Sequence, residues 1–407
     1  MSITKTNRFT TKSLLASAIS TALLTLATPS QAQSFTEFIQ EGDVIAQLRV
    51  RGENVQDDAA AKDAVAMTAR ARIGYETASL AGFKVLAEYD QVIILQDEYE
   101  SKSSMGPNNP GRAAVVDGLG GDFNRAQISY SHDLAKAVLG RQRIIFDNAR
   151  FIGNVGWRQN EQTFDAARID LTAVDNLSAS YVYINQRNTI TYQDIAVEDH
   201  LLNLGYTTPV GKVSAYGYLL KDDDTDKTYD TFGLRFKGKA AASDSVNILY
   251  TAEYATQTYN SGVAGSKDFD ADYGLIEAGV NVAGVSLLAG LESLNGDGDY
   301  AFSTPYATGH AFNGWADKFL ITPNNGLTDT YAKAVGKVAG VNLVAVYHDY
   351  SSDENGDDLG SEINLLAGMS FVDNVSVGIK YADYSEGDEA YGKKDTQKFW
   401  LWAEAKF

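Results

Sequence analysis

The chain ends in FWLWAEAKF, residues 399–407, and the alternation within this stretch decides the fold. Successive side chains of a strand point in opposite directions. Phe399, Leu401, Ala403, Ala405 and Phe407 therefore fall on one face, and Trp400, Trp402, Glu404 and Lys406 on the other. A soluble domain seldom finishes on its most apolar strand. A membrane barrel must return its last strand to its first, because an edge facing lipid leaves backbone N–H and C=O groups without partners.

An ending on an aromatic carboxylate resembles the C-terminal signal of bacterial outer-membrane proteins, which makes Phe407 the expected barrel-assembly signal read by the outer-membrane assembly machinery. The N-terminus agrees. Lys5, Arg8 and Lys12 precede an apolar stretch from Leu14 to Ala27, followed by Pro29 and the small-residue site Ser30-Gln31-Ala32. This is the layout of a secretory signal peptide, and its apolar part is shorter than the roughly 20 residues of a membrane-spanning helix. The expected organisation is a cleaved signal over 1–32, a short periplasmic segment over 33–43 and a transmembrane β-barrel over 44–407.

Composition narrows the function classes. The 34 Lys+Arg stand against 53 Asp+Glu, and losing Lys5, Arg8 and Lys12 with the leader takes the formal charge from −19 to −22. Such an acidic balance argues against nucleic acid as a partner. With no cysteine, there is neither a disulfide framework nor thiolate chemistry. No segment after the leader supplies the ~18 uncharged apolar residues of a transmembrane helix. Alternating apolar and polar residues, 23 tyrosines, 36 glycines and only six prolines point to strands instead.

Short turns fall near 79–82, 132–136, 174–176, 208–211, 238–244, 282–284, 338–340 and 372–374. Longer polar loops fall near 55–63, 97–121, 147–160, 188–196, 222–226, 258–268, 295–325, 352–357 and 387–393. These connections predict an all-β fold, an 18-stranded antiparallel up-and-down transmembrane β-barrel with short periplasmic turns and longer extracellular loops. Met67, Ala69, Ala71 and Ile73 oppose Thr68, Arg70 and Arg72; Phe232, Leu234 and Phe236 oppose Thr231, Gly233 and Arg235. A β-sandwich would alternate too, but does not call for the leader and the ending as well. A barrel this wide is not filled by side chains of its wall, so its wet face lines a channel or meets a folded-in loop.

Of 14 arginines, eleven fall between Arg49 and Arg168. Adjacent strands are adjacent in an up-and-down barrel, so Arg49, Arg51, Arg70, Arg72, Arg125, Arg141, Arg143 and Arg168 are candidates to coat one lumen wall and attract carboxylates or phosphates. Glu88, Asp170 and Arg235 complete the expected pore lining. The competing reading is that lumenal acids, Glu76, Glu88, Asp90, Asp165 and Asp170, neutralise these arginines. The facing of strand five is open, since Arg141 and Arg143 project opposite to Gln142 and a slip of one residue reverses them.

Two loops are too apolar to be freely solvated. Residues 146–160 carry Phe146, Arg150, Phe151, Ile152, Val155, Trp157 and Arg158; residues 301–320 carry Phe302, Tyr306, Phe312, Trp315 and Phe319. At least one is expected to fold inward as a constriction, with Arg150, Trp157, Arg158, Phe312 and Trp315 as its candidate residues.

The runs GRQRIIFDNARFIGNVGWRQNEQTFDA (140–166) and STPYATGHAFNGWADKFLITPNNGLTD (303–329) resemble segments of bacterial porins with an alginate-export domain. The resemblance includes ARARIGYET (69–77) and GFKVLAEYD (82–90) and extends from about Val44 to Phe407. It implies an 18-stranded outer-membrane barrel; the best-known members of that family move alginate, a polyuronate, through an arginine-rich pore, and many relatives are described only as porins.

Other signals are bland. The acidic runs at 222–226, 295–299 and 353–358 lack the twelve-residue calcium-loop spacing, and the four histidines are scattered. No enzyme activity, cofactor or metal is expected. The expected function is passive diffusion of small hydrophilic solutes or ions with a bias toward anionic (carboxylate) solutes; the alternative is an export channel for an anionic exopolysaccharide such as alginate. A barrel enzyme and a purely adhesive barrel are the remaining classes. Expected partners are outer-membrane lipid, lipopolysaccharide and small hydrophilic solutes, with a monomer expected and a trimer as the alternative.

Overall fold

The computed structural model describes residues 35–171 and 173–407; the expected leader lies outside the described residues. A short helix, α1 (Phe35–Gln40), precedes the barrel. It is tied down beside Tyr75, whose hydroxyl donates to the Ile39 carbonyl and accepts from the Gly42 N–H at 2.9 Å.

Eighteen strands follow. They are β1 (Asp43–Asp57), β2 (Ala64–Glu76), β3 (Phe83–Glu98), β4 (Gly120–Ser131), β5 (Ala135–Gln142) and β6 (Thr163–Leu171). Then come β7 (Leu177–Asn188), β8 (Asp194–Thr208), β9 (Gly211–Lys221), β10 (Thr228–Ser243), β11 (Val246–Asn260) and β12 (Phe269–Val282). The last are β13 (Val285–Leu294), β14 (Leu327–Val338), β15 (Val341–Ser351), β16 (Asp358–Val372), β17 (Val375–Ser385) and β18 (Thr396–Lys406). Each strand pairs antiparallel with its sequence neighbours, and β18 pairs with β1, with Arg51 opposite Trp402 and Asn54 opposite Phe399. Phe407 extends the seam: its N–H donates to the Ala46 carbonyl at 2.8 Å, and the Ala46 N–H donates back at 3.1 Å. Every strand thus has two neighbours and no edge remains.

The alternation of faces follows the sequence. Outward residues such as Ile73, Leu234 and Ile276 are 67%, 55% and 68% exposed, whereas inward Arg72 and Arg235 are 4% and 6% exposed. An apolar outer belt around a closed hydrogen-bonded wall is the condition for crossing a bilayer with strands. Among the described residues no helix is long and apolar enough to cross a membrane.

The principal hydrophobic core lies inside the barrel. Loop L3 (residues 143–162) and loop L7 (residues 295–326) both turn into the lumen. Phe146, Phe151, Ile152, Phe302, Tyr306 and Phe319 pack there against Phe164, Leu201, Tyr216, Tyr273, Tyr350 and Trp400 of the wall. Phe151 meets Tyr273 edge-on at 5.2 Å and Phe302 at 5.7 Å, joining both loops to one strand. A third loop, L2 (residues 99–119), forms its own cluster: Tyr99, Ala113 and Val115 bury against Val55, Ala64 and Ala66 of β1 and β2. Loops L3 and L7 meet in an isolated bridge, Ile152 to Tyr306, with the Gly153 N–H donating to the Tyr306 carbonyl at 2.8 Å.

Candidate functional site

Four arginines on β1 and β2 face inward as their parity requires, but they meet protein. Arg49 donates Nε to Gln159 Oε1 at 2.9 Å and its terminal nitrogens to the carbonyls of Gly156, at 3.2 Å, and Arg158. Arg51 donates to the Trp157 carbonyl and pairs with Asp117 of L2. Arg70 donates to the Gln159 carbonyl at 3.2 Å and to Glu404 at 3.2 Å. Arg72 grips Asp90 through two 2.6 Å bonds and reaches Glu161 at 2.9 Å. The planar guanidinium fork suits this job, since one side chain satisfies several carbonyls of a turning loop. The arginine-rich stretch is therefore the clamp that holds L3, and all four of these side chains are buried.

Glu88 serves three neighbours: Arg125 donates to it at 3.0 and 2.7 Å, Asn124 donates at 2.7 Å, and Arg72 Nε lies 3.6 Å away. Arg143 lies past the end of β5 and pairs with Glu161. Arg168 pairs with Asp170 at 2.9 Å, and Arg235 with Glu253, which also accepts from the Tyr216 hydroxyl at 2.9 Å. Eleven of the thirteen described arginines have a carboxylate partner, so the neutralisation reading describes most of the wall. Arg49 and Arg187 are the two others. Arg187 lies over the Tyr306 ring at 4.7 Å and donates to the Pro305 carbonyl at 3.1 Å.

One expected pore residue faces the other way. Arg141 shares its face of β5 and β6 with Leu139, Ile169 and Leu171, which are 53%, 43% and 52% exposed on the outer surface. It pairs there with Asp165 at 2.8 Å and Asp122 at 2.6 Å, while Gln142 is the buried inward residue. The one-residue ambiguity of strand five resolves against Arg141, because only that parity buries Val138 and Gln142 and exposes Leu139.

The constriction candidates converge. Arg150 donates to Glu292 of β13 at 2.7 Å and to Asn313 of L7 at 2.9 Å, and lies 4.8 Å over the Phe312 ring. Arg158 bonds Glu53 at 3.0 Å and Asp317 of L7 at 3.3 Å. Burial alone would push the Asp117 and Asp317 carboxyls up. Arg51 and Arg158 hold the first below the usual carboxylate range, while His310, Lys398 and Arg158 hold the second there. Glu161 is held at about 2 by Arg143, Arg72 and Asn124 against its burial. The imidazole of His310 is pushed down to about 3, by burial first and by Lys380 beside it, against the pull of Asp317.

Three participants were missed by the sequence reading. Asp117 sits on L2, whose run Ala113-Ala114-Val115-Val116 is the apolar signal that would have marked that loop as inward. Lys380 of β17 is buried beside His310 and among Trp157, Trp315 and Trp400, and nothing local in its strand distinguishes it from a solvated lysine. The third is a set of lysines on the far wall. Fourteen of the 20 lysines follow Arg187, where arginine is scarce, so the basic residues of that wall are mainly lysines.

The comparisons with known proteins agree with this architecture. The solved structure of OccAB1 from Acinetobacter baumannii is similar at a TM-score of 0.71 and 11% identity, covering 94% of this chain and 99% of that one. OpdK of Pseudomonas aeruginosa, solved with vanillate, gives 0.69 and 11% identity over 91% and 99% of the two chains. OpdO of the same organism gives 0.70 and 12% over 92% and 99%. No curated protein matches the sequence significantly. The family model described as alginate export matches residues 43–307, from the first strand into the inward loop L7, and the chain belongs to that family.

Proposed function

We propose that this protein is an outer-membrane porin through which small hydrophilic solutes or ions diffuse passively, with a bias toward anionic, carboxylate-bearing solutes. The observation that carries this reading is a closed 18-stranded barrel with three loops, L2, L3 and L7, folded into the lumen and fastened there by buried arginines. A constriction made of fixed loops sets size and charge selectivity, while the wall around it keeps backbone polar groups from lipid. No bond is made or broken, and solute moves down its own gradient. The similarity in fold to OpdK, solved with vanillate, supports an organic acid as the solute class.

The family's description favours a second reading, export of an anionic polysaccharide such as alginate. A polymer needs a continuous path for extended chain, and three loops packed in the lumen favour small solutes over it. Proteoliposome swelling separates the two. Swelling with small sugars and amino acids, with retention of oligouronates, is the expected outcome; passage of oligouronates alone would favour export. A planar bilayer recording in mixed salts tests the charge bias, and a strong cation preference would overturn it.

A further inference from the structure

We propose that the periplasmic half of the lumen binds multivalent oxyanions along a lysine-lined wall opposite the arginine clamp, with Lys212, Lys237 and Lys239 of the adjacent strands β9 and β10 at one end and Lys333 and Lys337 of β14, beyond three intervening strands, at the other. This deepens the anion bias of the porin reading by locating its source.

Parity and register place the residues. Lys237 and Lys239 share the inward face of β10 with Thr231 and Arg235, both buried, whereas the intervening Phe236 belongs to the outer face with Phe232 and Leu234. Lys333 and Lys337 share the inward face of β14 with Asp329 and with Tyr331, whose hydroxyl donates to Glu277 inside the barrel at 2.9 Å. All four lie toward the short-turn ends of their strands, below the inward loops. Lys212 of β9 stands directly opposite Lys237 in the β9 and β10 register.

Charge accounting makes this wall unlike the other. The arginines of β1 to β6 are matched by carboxylates or bonded to loop carbonyls. Among the described residues, Lys237, Lys239, Lys333 and Lys337 have no hydrogen-bond or ion-pair partner. On the periplasmic halves of β10 to β15 the inward carboxylate is Glu277, already shared with Tyr331. Lys212 reaches Asp147 of L3 at 3.6 Å, but that carboxylate also accepts from Ser214 at 2.8 Å and Asn203 at 2.9 Å. Like charges directly across a strand pair are unfavourable, so the Lys212 and Lys237 pairing is a standing repulsion that a bound anion would relieve. The chain as a whole is strongly acidic, with a formal charge of −19, so a local surplus of ammonium groups is not a reflection of composition. A concave low-dielectric wall focuses this field on the water column.

Ammonium groups on flexible stems take phosphate and carboxylate as point charges without demanding a planar fork, so the site fits anions with two or more charges. Inorganic tripolyphosphate is the probe. Titration calorimetry of the full-length barrel in detergent is expected to show binding that weakens about tenfold or more in the variant Lys237→Gln, Lys239→Gln, Lys333→Gln, Lys337→Gln. Lys333→Gln with Lys337→Gln alone should give an intermediate loss, which keeps the test open should the fourfold variant fold poorly. A control with Lys227→Gln and Lys267→Gln, in extracellular loops that stay outside the lumen, should bind like the parent. In a planar bilayer the same probe should block current from the periplasmic side at lower concentration than from the other. Binding retained within twofold in the fourfold variant, or no binding by the parent, overturns the site. A barrel that conducts without binding tripolyphosphate removes this inference and spares the porin reading; one that binds without conducting does the reverse.

Discussion

The ammonium of Lys380 lies 3.8 Å from the centre of the Trp315 ring, which joins the wall strand β17 to the inward loop L7. The same nitrogen is 4.4 Å from Trp157 of L3 and 2.7 Å from His310 Nε2. Trp402 packs edge-on against Trp157 at 5.4 Å, and the other three of the chain's four tryptophans, Trp157, Trp315 and Trp400, surround the cation. Their negative ring faces supply attraction in a dry place where no carboxylate touches the lysine.

Removing that cation should free L7. Lys380→Met leaves the His310 nitrogen and three ring faces without their charge, at a cost of about 2 kcal/mol or more. The expected readout is a larger, noisier single-channel conductance and a red shift of tryptophan emission, which reports this cluster alone because the chain has no tryptophan elsewhere. Emission and conductance identical to the parent would show that the cage does not hold the loop.

Acid should loosen the same contact. His310 is pushed down to about 3 in the folded state against about 6.5 when hydrated, so its contribution is complete above pH 6.5 and lost as pH falls toward 3. The loss reaches roughly 3 kcal/mol by pH 4 at 1.36 kcal/mol per unit. Asp317, held below its usual value, adds a loss in the same direction only below about pH 4. Tryptophan emission followed from pH 7.5 to 4 should change in the parent and change less in His310→Gln above pH 4.5.

Arg49 fastens L3 through three bonds to residues more than 100 positions away. Arg49→Ala should cost about 3 kcal/mol, since charged hydrogen bonds are lost and loop carbonyls are left dry. Arg49→Lys should rescue little, because one ammonium cannot reproduce the fork. The measurement is conductance together with the thermal midpoint of the folded band on a gel; a full rescue by lysine would argue for charge alone.

Selectivity should not track every arginine. Arg141 is on the outer face, so Arg141→Ala is expected to leave the reversal potential in asymmetric salt unchanged. Arg168→Ala, inside the barrel and only partly covered, should move it toward cations by a few millivolts or more. Equal shifts in both variants would contradict the facing of β5.

Deletion of Phe407 removes the two backbone bonds to Ala46 that extend the seam beyond Lys406. Less assembled barrel in outer-membrane fractions is the expected outcome, and an undiminished yield would deny this residue a part in assembly.

The strands were legible because their signal is local. A period of two, turn residues between apolar runs and a greasy last strand are each contained within a dozen residues, and they account for all eighteen strands and for the seam between β18 and β1. The inward loops were legible in part, since Phe151 or Trp315 on a solvated loop has no physical sense, whereas L2 passed unnoticed behind its prolines, glycines and asparagines. Arg141 was misplaced where the short β5 offered too few apolar residues to establish parity.

What the sequence determined by itself was the wall: strand count, order, and which face of most strands meets lipid, because alternation and hairpin connections need no distant partner. What only the tertiary structure decided was the charge in the lumen. Arg49 meets Gln159, 110 residues on, and Arg70 meets Glu404, 334 residues on. Whether a guanidinium is free to meet a solute depends on such partners, so an arginine-rich stretch became a clamp and lysines without partners became the exposed cations.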